Sequence, residues 1–200
     1  MKPVIISLTL LAGLQVISAQ EKLPQEEALK YATALSADPK LLAGTPIATD
    51  VDTSKPVALR EGEFGGMILP QKNLKVEDLA PAGKAVVPIG QLWLRNLTPV
   101  LDGSGISQDK LLLAAVTRRG EEITLPKCAL GVRRNDAGVL ELLVFGKDKE
   151  PLLKLPLKSI DVRQELPIDA TAARTSDEGS ITVKILGKYE AKVTVTELRL

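Results

Sequence analysis

The chain has 200 residues, with 26 Lys and Arg against 25 Asp and Glu, one cysteine and no histidine. Charge that is balanced and interspersed gives no long-range field to hold phosphates, which argues against nucleic-acid binding. The missing histidine removes Ser-His-Asp and Cys-His nucleophile systems and most zinc sites, and a lone Cys128 closes no intrachain disulfide. No cofactor or metal site is therefore expected, and the fold must rest on burial and hydrogen bonds.

Residues 1–19 have the form of a secretory signal peptide. Lys2 supplies the positive n-region, Val4 to Val16 runs without a charge, and Ser18-Ala19 offers small residues to a peptidase, with cleavage expected after Ala19. Leu11-Ala12-Gly13-Leu14 has the outline of a lipoprotein box, but Leu14 stands where the lipidated Cys would be. No later run approaches the roughly 18 apolar residues of a membrane-spanning helix. A soluble periplasmic or secreted protein of a bacterial envelope is expected, with no transmembrane anchor in its mature form.

Residues 20–55 read as a helical arm and linker. Pro24 suits a first turn, Glu26 and Glu27 complement the helix dipole, and Leu29, Ala32 and Leu35 recur at helical spacing. Asp38-Pro39 opens a short second helix that Gly44 stops, and the Thr-, Asp- and Pro-rich stretch to Lys55 is a linker. Within it, Asp50, Asp52 and Glu61 mimic acidic positions of an EF-hand loop, but Lys55 occupies the place of its obligatory glycine.

Residues 56–200 read as one β-domain. Val57–Arg60, Gly66–Leu69 and Val86–Leu97 are candidate strands, and Val76–Leu79 a helical turn. Hairpins are expected around Arg118–Glu121 and Asn135–Gly138. The clearest hairpin has Ile181, Val183 and Ile185 alternating with polar residues before Gly187-Lys188, and Ala191, Val193 and Val195 alternating after it. Leu153, Leu155 and Leu157 form a strand with one wet face, which Pro156 places at a sheet edge. Gln164–Ile168 is a weaker strand. Roughly 8–10 short strands after a helical arm predict a mainly β fold, an antiparallel β-sandwich or barrel-like domain.

Four patterns bear on chemistry. Ser107-Gln108-Asp109-Lys110 matches a Ser-x-x-Lys motif, but it follows a Gly-rich loop and has no Lys-Thr-Gly partner. Asn96-Leu97-Thr98 is a sequon followed directly by Pro99. Asp161, Glu165 and Asp169 are scattered carboxylates that no spacing rule pairs. Gln91, Trp93 and Arg95 share one strand face, opposite Leu92 and Leu94. That face has two readings: a surface for a protein or polysaccharide partner, or a Trp93 packed beneath the arm, which the shared parity of Ile89 and Leu97 favours. Five aromatic residues in all leave few for the flat platforms of glycan binding. The leading functional expectation is a non-catalytic binding or structural module of the envelope. Alternatives are a carboxylate-dependent hydrolase acting on polymers, and a subunit of a larger exported assembly.

Overall fold

In the computed structural model the described residues are 18–19, 21–79, 82–118, 120–175 and 178–198. Most of the expected signal peptide, residues 1–17, and Gln20 beyond the cleavage bond lie outside them. Strand β1 (Ser18–Ala19) is followed by β2 (Glu21–Lys22), helix α1 (Gln25–Ser36) and the short helix α2 (Pro39–Leu42). The arm thus starts as a strand, contrary to the helix expected from Gln20. Glu21 and Lys22 pair with Arg60 and Leu59, and Pro24 then starts the helix, its carbonyl accepting from the Glu27 and Ala28 amides. Asp38 caps α2 by accepting from the Lys40 amide at 3.0 Å, and Gly44, at φ 79°, turns the chain away from it.

The strands that follow are β3 (Val57–Glu61) and β4 (Phe64–Pro70), then helical turn α3 (Val76–Leu79) at the expected residues, then β5 (Val87–Arg95), β6 (Leu97–Leu101) and β7 (Ser104–Gly105). A 3-10 turn at Gln108–Lys110 leads into β8 (Leu112–Arg118), β9 (Glu121–Arg134), β10 (Leu140–Phe145) and β11 (Pro151–Pro156). The chain ends with β12 (Lys158–Ser159), β13 (Ile168–Arg174), β14 (Gly179–Ile185) and β15 (Tyr189–Glu197). All pairings are antiparallel. One sheet runs β1-β13-β14-β15-β6-β7 with β12 also beside β15; the second runs β11-β10-β9-β5-β4-β3-β2 with β8 also beside β9. The strands outnumber the sequence expectation partly because β1, β2, β7 and β12 are two-residue pieces.

The fold is a mainly β, antiparallel sandwich with a third, helical layer. Between the sheets lie Leu92, Leu94, Cys128, Leu130, Val132, Leu142 and Val144 from the second sheet, against Ile168, Ile181, Val183, Ile185, Val193 and Val195 from the first. The second sheet is also covered on its outer face. There Ala28, Ala32 and Leu35, spaced along one face of α1, pack on Ala58, Met67, Leu69 and Trp93, and Ile47 of the linker packs on Ala129, Leu143 and Phe145. None of the helices among the described residues is long and apolar enough to cross a membrane.

Three local features differ from the sequence expectation. Glu122–Leu125 and Cys128–Arg133 belong to one 14-residue strand, β9, rather than two. The weak strand expected at Gln164–Ile168 lies further on, at β13, while Gln164 itself turns back, its amide donating to the Leu166 carbonyl at 2.7 Å. Ile89 and Leu97 do not share the side of Trp93, since both lie in the core between the sheets. Ile89 switches sides at a bulge between Pro88 and Gly90; there Gly90 has φ 149° and a Cβ would overlap the Leu69 carbonyl. Leu97 follows Asn96, at φ 54°, where the chain leaves the second sheet for the first. The alternation that linked these residues to Trp93 is broken on both sides of it.

Candidate functional site

β5 sends Gln91, Trp93 and Arg95 to the outer face of the second sheet, and the arm sorts them into two roles. Gln91 is fully buried and Trp93 is 2% exposed. The Gln91 side-chain amide donates to the Leu42 carbonyl and to Thr49 Oγ1, each at 2.7 Å, while its carbonyl oxygen accepts from Trp93 Nε1 at 3.2 Å. Lys127, opposite Trp93 on β9, donates to the Leu41 and Ala43 carbonyls at 2.6 Å. Its ammonium lies 5.4 Å from the centre of the Trp93 ring. Burial pulls the Lys127 pKa below its ordinary value. Gln91 and Lys127 satisfy the carbonyls at the end of α2 and, with Trp93 bonded to Gln91, hold the arm to the sheet. Lys127 was not singled out in the sequence, where it reads as a wet residue next to Cys128; only its place beneath the arm gives it this role.

Arg95 is different. It is half-buried and lines a cleft of about 350 Å³ between α1 and the outer face of the sheet. The cleft exists because β5 and β9 part. Their ladder ends at Trp93 and Lys127, and the next residue of β9, Pro126, has no N–H with which to extend it. Beyond that point β5 turns at Asn96 into the other sheet, while β9 continues as a two-stranded ribbon with β8. Val116, Ile123 and Leu125 of the ribbon form one wall. Tyr31, Ala34 and Leu35 of α1 form the other. Met67 and Trp93 make the floor, and Gly65, on the same face as Arg95, leaves it low by contributing no side chain.

Among the described residues the charged side chains of this lining are Lys30, Arg60 and Arg95, all cations. Two have carboxylate partners in the first turns of α1: Lys30 lies 2.9 Å from Glu26, and Arg60 lies 2.8 Å from Glu27. Arg95 has no such partner among the described residues. The site is thus an apolar slot with a cationic rim, a shape suited to holding a ligand.

The other sequence candidates lie elsewhere. The Ser107 hydroxyl bonds to the Asp109 carboxylate, two residues on, and not to Lys110. Asp52 accepts from the Ser54 amide and hydroxyl, which hold its pKa below the usual carboxylate range, and Asp50 pairs with Lys72. No group of three metal-binding side chains occurs among the described residues. Asp161 pairs with Lys188, and Asp169 of β13 with Lys22 of β2, away from the cleft. Thr98 of the sequon is buried. No protein-family model matches the chain, and no curated protein or solved structure is significantly similar to it.

Proposed function

We propose that this is an exported, non-catalytic binding protein whose ligand occupies the cleft between α1 and the second sheet. One observation carries the reading: a cleft of about 350 Å³, within the size range of ligand sites, whose charged lining among the described residues is cationic, without Asp or Glu. A carboxylate-dependent hydrolase needs two facing carboxyl groups where its substrate sits, and the described lining of this cleft supplies none. The Trp93 ring is covered by the arm and Lys127, which favours an apolar ligand over a sugar ring stacked on an open aromatic face. The apolar side of α1 is engaged by its own sheet, so it offers little to a neighbouring subunit. The export half of the reading is supported by Lys2 and the uncharged run Val4 to Val16.

The test is saturable binding of an uncharged solvatochromic dye, Nile red, to the chain starting at Gln20. Ala34 is exposed on α1 and lines the cleft, so Ala34→Trp places an indole in the slot without touching the core. Dye affinity should fall about tenfold or more with the thermal midpoint nearly unchanged. Equal dye binding by both proteins would remove the cleft from consideration.

A further inference from the structure

We infer that the ligand is an amphiphile with a single anionic head and an aliphatic chain, a long-chain carboxylate, and that Arg95 binds the head; this rests on the cleft being a binding site. Of the three cations around the slot among the described residues, Lys30 and Arg60 already pair with Glu26 and Glu27. Arg95 is half-buried without a carboxylate partner among the described residues. A guanidinium partly withdrawn from water beside an apolar wall is an incomplete ion pair, and its planar fork matches a carboxylate through two parallel hydrogen bonds. Gly65, its partner in the β4–β5 register, leaves that approach open: a Cβ there would lie 4.0 Å from the Cβ of Arg95.

The rest of the slot suits a hydrocarbon tail. From Arg95 the lining passes along β5 to Trp93, about 7 Å away at two residues of strand rise, and on to Met67 and Leu35. These side chains offer carbon surface. An extended peptide would bring an amide every 3.3 Å or so that needs a partner, whereas a methylene chain needs none.

The experiment is displacement of bound Nile red by hexadecanoate and by hexadecan-1-ol, both below their aggregation thresholds, from the wild-type chain and from Arg95→Met and Arg95→Lys. The acid should displace dye at least tenfold better than the alcohol from the wild type, the order expected for a hydrogen-bonded charged head. Arg95→Met should abolish that preference while leaving the alcohol's affinity unchanged, and Arg95→Lys should restore part of it. Equal displacement by acid and alcohol from the wild type overturns the inference and leaves the cleft reading standing. So does an equal loss of both ligands in Arg95→Met, which would mark a structural role. An apolar peptide with a free C-terminus that displaces dye where hexadecanoate does not would also overturn it, in favour of a peptide ligand. Failure of the wild type to bind Nile red would instead sink the proposed function itself.

Discussion

Lys127 and Cys128 are chain neighbours on β9 that face opposite layers, and their surroundings push their chemistry in opposite directions. Lys127 donates hydrogen bonds to two carbonyls at the end of α2, while burial pulls its pKa down. Cys128 faces the sandwich core with Leu130 and Val132, where the thiolate has no solvation, and its pKa is pushed up from 9.0 to about 12. The thiol is therefore a packing residue, inert to disulfide exchange in the folded chain. A consequence follows for alkaline stability. The unfolded chain releases this proton from about pH 9, whereas the folded chain holds it to about pH 12. The folded state binds more protons in that window, so stability is full below it and falls as pH rises, by up to about 1.4 kcal/mol per pH unit from this group. Urea unfolding of the wild type and of Cys128→Ala at pH 8, 9, 10 and 11 measures it. Lysines and tyrosines titrate in both proteins, so the difference in slope isolates the thiol. Parallel pH profiles would show that the thiol is not held protonated by burial.

At the scale of elements, the arm is attached by a polar clamp set in an apolar contact, and Gln91 is its most buried member. Gln91→Leu removes donors to the Leu42 carbonyl and Thr49 and the acceptor of the indole N–H. With buried groups left unpaired, the cost should be about 1–3 kcal/mol. Proteolysis should quicken between α1 and β3, and emission from Trp93, the single tryptophan, should shift to the red as the arm loosens. Unchanged proteolysis and emission would mean that apolar packing alone holds the arm. How legible these elements are in the sequence follows from how many of their faces are wet. β14 and β15 bury one face and leave Thr182, Lys184, Lys192 and Thr194 on the other, so they alternate cleanly and were read with their turn, where Leu186 and Gly187 both have positive φ. β10 is buried throughout its length, because the first sheet and the linker cover its two sides, and its run Leu140–Phe145 carries little periodicity. Pro156 correctly marked β11 as an edge strand. Pro126 lies inside the long β9, paired with Leu113 on one side, and its meaning emerges only when the other side is seen to be where β5 departs. That is why Arg95 and Trp93 were legible as a shared strand face, while the cleft that separates their roles was not. Its walls come from α1 and the β8–β9 ribbon, joined to β5 only by tertiary structure.

At the scale of the whole molecule, three layers stack without a covalent crosslink: the first sheet, the second sheet and the arm. The middle layer is desolvated on both faces, which compensates for a core with few aromatic side chains. This layering also bears on the proposed cleavage after Ala19. β1 pairs only with the edge of β13, Ser18 with Arg174 and Ala19 with Ala173. A cut after Ala19 takes those two residues from one margin of the first sheet. It keeps β2, whose Glu21 and Lys22 pair with β3, and it keeps Leu23, whose amide donates to the Ala58 carbonyl at 2.9 Å and whose side chain is buried under α1. The arm, its clamp and the cleft therefore survive cleavage at that bond but not cleavage a few residues later. N-terminal sequencing of the protein recovered outside the cytoplasm should begin at Gln20. A mature terminus beyond Leu23 would detach the arm from β3 and contradict the cleft as a working site, and a chain recovered uncut from the cytoplasm would contradict export.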